Sequence, residues 1–236
     1  MSTIALTRSL TSSVQTHPHF AIKLASMKRS PFLFLCVSLI AIGALAAFGP
    51  AEKTLGANVR LVYLHGVWVW TALIAFVVAA LLGLVGFLTR CQAIHCWSRA
   101  VGRTGLIFWI TYLPISMWAM QTNWNGLFLA EPRFRIAVVF ALGGLLLQIG
   151  ATLLEDPAWA SAINIIYAAG LFIILSQTKE VMHPASPIFN SDAHRIQLFF
   201  ISLLFLTLVV AWQVARLWHQ VERPCVAALQ SANAPR

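Results

Sequence analysis

Six long apolar stretches, at residues 31–48, 62–88, 104–121, 136–154, 158–175 and 196–217, alternate with short polar connections along the chain. About 20 apolar residues of helix cross a bilayer's hydrocarbon core, and tilt absorbs a few more. Each stretch therefore predicts a spanning helix, and together they predict an all-α, polytopic bundle of six transmembrane helices forming one domain, residues 31–217. The connections leave no room for an independent soluble domain. No segment recurs at the period of a solenoid or propeller, or as an inverted half. Residues 1–30 carry Arg8, Lys23, Lys28 and Arg29 ahead of the first acidic residue, Glu52. They read as a basic cytoplasmic tail, since no small-residue cleavage pattern with a polar mature domain follows. Met27, just before Lys28-Arg29, is a second candidate start, and residues 218–236 read as a cytoplasmic C-terminal tail.

Composition narrows the class. The chain is 59% hydrophobic and 10% charged, against about 45–50% and about 25% in an ordinary soluble domain, which excludes a soluble enzyme and a disordered chain. Sixteen basic residues against seven acidic ones give a net charge of +9. With no basic face interleaved with exposed aromatics, that surplus reads as orientation charge, and no nucleic-acid partner is expected. An inside N-terminus puts ten of the sixteen on the inner side; the outer connections hold Lys53, Arg60, Arg133, Arg135, Lys179 and Arg195. The bias predicts both termini cytoplasmic in a multi-pass protein of the inner cell membrane. Cys36, Cys91, Cys96 and Cys225 fall in the first span, one short inner loop and the tail, where a structural disulfide is not expected. Cys91, His95 and Cys96 are soft ligand types in one segment, without the second pair of a closed zinc site.

The second and third outer connections carry the unusual chemistry. Asn123 to Arg135 mixes Trp124, Phe128 and Phe134 with Glu131, Arg133 and Arg135, and the last outer loop contains Glu180-Val181-Met182-His183-Pro184. His65 lies near the outer end of the second span, on the same predicted side as His183. An ionisable side chain in a span is costly and carries a functional hypothesis, and a neutral imidazole ligates metal or haem iron. An interfacial hydrogen-bonding histidine, a loop histidine before proline and a belt-anchoring tryptophan are the competing readings. Arg133 and Arg135 read either as surface charges or as forks for carboxylates. Phosphate-loop, zincin and serine-hydrolase patterns are absent from the sequence, and acids are too scarce for paired-carboxylate hydrolysis. The second span lacks the mid-membrane acid that a proton-coupled pump would use.

The order of landmarks, Arg60-Leu61-Val62-Tyr63-Leu64-His65, then an aromatic outer loop, then an outer-loop histidine before the sixth span, resembles the cytochrome c assembly family of haem-handling membrane proteins, and its CcmC-like branch most. The resemblance covers roughly residues 50–217. It implies haem b held transiently at the outer face, with His65 and His183 as axial ligands, Trp124 and Phe128 in a tryptophan-rich WWD-like platform, and Glu131-Pro132-Arg133 in place of the acid-x-Arg that closes that motif. Where the family has a run of tryptophans and glycines, this chain has Asn125-Gly126-Leu127-Phe128-Leu129-Ala130. The implied partners are haem, a periplasmic haem chaperone or apocytochrome, and an ABC-type ATPase with a second membrane subunit. Two other classes remain open: a membrane carrier with a permanent b-haem or metal, and a scaffold subunit of the same fold without haem.

Overall fold

The computed structural model describes residues 29–178, 188–189 and 192–232, with 29–30 and 222–232 as backbone only. Six helices account for nearly all of them: α1 (Arg29–Ala47), α2 (Val59–Thr89), α3 (Gln92–Trp124), α4 (Pro132–Leu153), α5 (Pro157–Gln177) and α6 (His194–Ala232). Among the described residues the one non-helical pairing is an isolated bridge between Glu52 and Gly56. Four helices are long and apolar enough to cross a membrane: α2, α4, α5 and the part of α6 from His194 to Val221. The apolar part of α1, Pro31–Ala47, is shorter. At about 1.5 Å per residue α2 is about 46 Å long, more than the roughly 30 Å of hydrocarbon it would have to cross.

Each apolar stretch of the sequence falls in one helix, but two helices outrun their stretches. The central helix α3, which packs against α2, α4, α5 and α6, begins at Gln92, well before the apolar run at 104. The expected inner loop around Cys91–Cys96 is therefore a helix start: Cys91 is the N-cap, and His95 and Cys96 are buried. The early polar residues of α3 face neighbouring helices, where polar partners meet them. His95 Nδ1 lies 2.7 Å from Ser161 Oγ. Ser98 Oγ donates to the Ala79 carbonyl at 2.8 Å, and Asn164 Nδ2 donates to the Ser98 carbonyl at 2.9 Å. A buried polar group costs little when it is so paired. Gly102 makes the approach possible, because a Cβ there would collide with the Asn164 amide. At the other end of the chain, α6 continues through the expected tail to Ala232.

Consecutive helices run up and down. At one end Asn58, before α2, donates to the Thr122 carbonyl near the end of α3 at 3.1 Å. At the other, Arg103 of α3 donates to Thr152 of α4 at 2.9 Å and lies 5.2 Å over the Trp218 ring of α6. There too, Trp97 is stacked between Trp212 and His219, with centroids 5.2 and 4.0 Å away. The first of these ends carries His65, Trp124, Phe128, Glu131 and Arg133.

Candidate functional site

His65 sits two turns into α2, half-buried, on the face turned to α3. Helical spacing makes His65 and Trp68 neighbours, and they meet a matching row on α3. Trp68 Nε1 donates to Thr111 Oγ1 at 3.1 Å, its ring lies 5.4 Å from Phe108, and the His65 ring lies 5.6 Å from Tyr112 at 60°. Tyr112 is 6% exposed. Behind it stands Trp109, with centroids 5.0 Å apart, whose Nε1 donates to the Ala137 carbonyl of α4 at 3.1 Å. The imidazole is thus backed by an aromatic wall anchored to two helices.

The rim above it is the α3–α4 connection. Asn125 closes α3 in the left-handed region at φ 53°, a conformation that Asn tolerates better than most residues. Trp124 and Phe128 meet edge to face, centroids 6.3 Å apart at 82°, and are 39% and 40% exposed. A planar ligand can lie flat on only one of two such rings and meets the other edge-on. Glu131 is the N-cap of α4: its Oε2 accepts the Phe134 N–H at 2.6 Å, with Pro132 at the first helical position, the arrangement that satisfies a helix start. Its Oε1 is buried with no hydrogen-bond partner among the described residues. Arg133 is half-buried in the first turn. The rise per residue puts His65 about 10 Å inward of the Asn58–Thr122 contact, so Trp124, at the end of α3, lies nearer the end of the bundle than the imidazole does.

Two residues that carry the family resemblance have structural work. Arg60 Nε donates to the Gly49 carbonyl at 3.0 Å, and Tyr63 Oη donates to the Pro50 carbonyl at 3.1 Å. Together they strap the α1–α2 connection to the start of α2. On the opposite flank α6 approaches closely, since a Cβ on Gly66 would lie 2.9 Å from the Phe200 ring.

His183 lies outside the described residues. The chain after it returns against this flank: Phe189 packs edge-on to Trp70 at 5.9 Å and to Phe200 at 5.6 Å, and Gln197 donates to the Ile188 carbonyl at 3.3 Å. His95 is at the far end of the bundle, and among the described residues no three His, Cys, Asp or Glu side chains converge on a metal site.

Tyr112 and Thr111 were not singled out in the sequence, and Trp68, which reads there as an outer belt tryptophan, instead donates to Thr111 between two helices. The available signal was a tyrosine in an apolar span, whose hydroxyl needs a polar surrounding. These features define an all-helical protein with four helices long and apolar enough to cross a membrane and a histidine set against the aromatic face between α2 and α3. The chain matches no protein-family model and no curated protein.

Proposed function

We propose that the protein is a six-span inner-membrane protein with both termini cytoplasmic that holds haem b transiently at its outer face and passes it on for cytochrome c biogenesis. The observation that carries this reading is the half-buried His65 imidazole set against the buried Tyr112 ring at the end of the bundle that also carries Trp124, Phe128 and Arg133. Phe189, six residues after His183 in the sequence, lies against the flank of α2. The residues on this side suit a planar, amphipathic cofactor with two carboxylates. His65 offers an imidazole with an aromatic wall behind it, Trp124 or Phe128 offers one ring face, and Arg133 offers a planar fork for a propionate.

In this reading His65 and His183 would hold the haem iron, and the group would supply a low-spin, reducible centre when bound. Tyr112 limits the tilt of the His65 ring. Trp124, half-exposed at the same end, would offer a ring against the bound group. Glu131 shapes the rim through its cap on α4 rather than by pairing with the iron. The recipient is a periplasmic haem chaperone or apocytochrome, and the chain has no phosphate-binding loop, so any ATP use belongs to a partner ATPase with a second membrane subunit.

The test is reconstitution of detergent-purified protein with haem, followed by oxidised and reduced absorption spectra of wild type, His65→Ala and His183→Ala. A saturable low-spin spectrum lost in both variants is expected. Absence of saturable binding by wild type overturns the reading and leaves a haem-free scaffold. A spectrum that survives both substitutions overturns the ligand assignment.

A further inference from the structure

We infer that Tyr112 is the positioning residue of the His65 end: its buried ring fixes the orientation of the His65 imidazole and with it the direction in which the ring nitrogens present their lone pairs. The inference deepens the haem-holding reading and rests on it for its functional consequence, whereas the contact itself can be tested without haem.

A histidine on a single helix turns about two side-chain torsions, so a ligand-grade imidazole needs something that removes that freedom; in metal sites the outer neighbours of a histidine do this and tune its affinity. Here the neighbour is an aromatic ring. The Tyr112 centroid lies 5.6 Å from that of His65 at 60°, inside the range of favourable tilted ring pairs. Tyr112 in turn cannot yield, because it is 6% exposed and packs against Trp109 at 5.0 Å. Trp109 is held by its hydrogen bond to the Ala137 carbonyl and by the Phe76 ring at 5.9 Å. On the α2 side, the Trp68–Thr111 hydrogen bond one turn from His65 fixes the register of the two helices. The imidazole therefore leans on a surface tied to α2, α3 and α4 at once. Shape, not the phenol hydroxyl, carries the effect, so phenylalanine replaces Tyr112 and an aliphatic residue does not.

The experiment has two arms. In the haem-free protein, the proton shifts of the His65 ring are read by NMR in detergent, assigned by their loss in His65→Ala. Tyr112→Leu is expected to move them toward ordinary exposed-histidine values as the ring current disappears, and Tyr112→Phe to leave them near wild type. Unmoved shifts in Tyr112→Leu overturn the inference. In the haem-loaded protein, Tyr112→Leu is expected to weaken haem binding on the order of 10-fold, as outer neighbours of metal ligands do, and to give a mixed low- and high-spin spectrum. Tyr112→Phe keeps the wild-type spectrum. Trp97→Leu, which removes a half-buried ring at the other end of the bundle, controls for general destabilisation: a Tyr112→Leu spectrum that differs from wild type no more than Trp97→Leu does overturns the positioning role. If wild type binds no haem, the functional reading fails while the first arm still decides the contact.

Discussion

At the residue scale, Glu131 separates structure from chemistry. The sequence offered it as the acid of a haem-platform remnant, and the fold gives it a prior duty, since Oε2 accepts the Phe134 N–H and starts α4. Its other oxygen is buried without a hydrogen-bond partner among the described residues, an arrangement that subtracts from the value of the cap. Glu131→Ala removes the cap and is expected to lower stability by about 1 kcal/mol. Glu131→Gln keeps an oxygen for Phe134, so it is expected to stay closer to wild type than Glu131→Ala does. Denaturant unfolding in detergent, followed by tryptophan fluorescence, separates the two variants. Haem spectra of Glu131→Gln check the corollary: a cap role leaves them unchanged, whereas an acid working on the cofactor would not tolerate the amide.

At the element scale, the extents of the helices show what hydropathy reads and what it misses. All six apolar stretches are helical because a run of apolar residues in lipid must satisfy its own backbone. The start of α3 stayed hidden for the converse reason: His95, Ser98 and Arg99 look like loop residues until α2 and α5 supply buried surroundings and partners such as Ser161 and Asn164. Tyr112 stayed hidden because its importance is a contact between helices, which spacing along one chain does not encode. His65, Trp124, Glu131 and Arg133 were legible as unusual residues on one predicted side, but not the depth of His65 or the cap at Glu131.

The α1–α2 connection adds a pH-dependent element. The Leu55 and Thr54 N–H groups donate to the exposed Glu52 carboxylate at 2.9 and 2.8 Å and hold its pKa below the ordinary 4.5. A depressed carboxylate pKa contributes order above the unfolded value, and that order is lost as pH falls through the folded one. Amide-exchange protection at Thr54 and Leu55 is therefore expected to be steady near neutrality and to decline as pH drops below about 4.5. In Glu52→Gln the decline disappears, because the charge that gathers the two N–H groups is gone; a persistent decline would assign it to another group.

For the whole molecule, the decisive property is which end faces which side. The contacts fix the relative arrangement: Asn58 meets Thr122 at one end, and Arg103 meets Thr152 at the other, so the α3–α4 turn and the α2–α3 turn lie at opposite ends of the bundle. Lys and Arg accumulate on the side they resist leaving, and the sequence reading assigns ten of the sixteen to the side of the α2–α3 turn and the chain ends. Under the proposed orientation the Trp124–Phe128 rim faces outside, the one arrangement in which the proposed site would deliver haem away from the cytoplasm. Single-cysteine labelling tests this with two positions at opposite ends, Cys91 at the N-cap of α3 and Leu127→Cys in the exposed rim, each in a background with the remaining cysteines replaced. A membrane-impermeant maleimide is expected to label Leu127→Cys in intact cells and Cys91 only after permeabilisation. The reverse pattern would turn the rim toward the cytoplasm and end the outer-face reading while leaving the bundle intact. Labelling of both positions from one side would mean that α3 does not cross the membrane and would overturn the six-span reading.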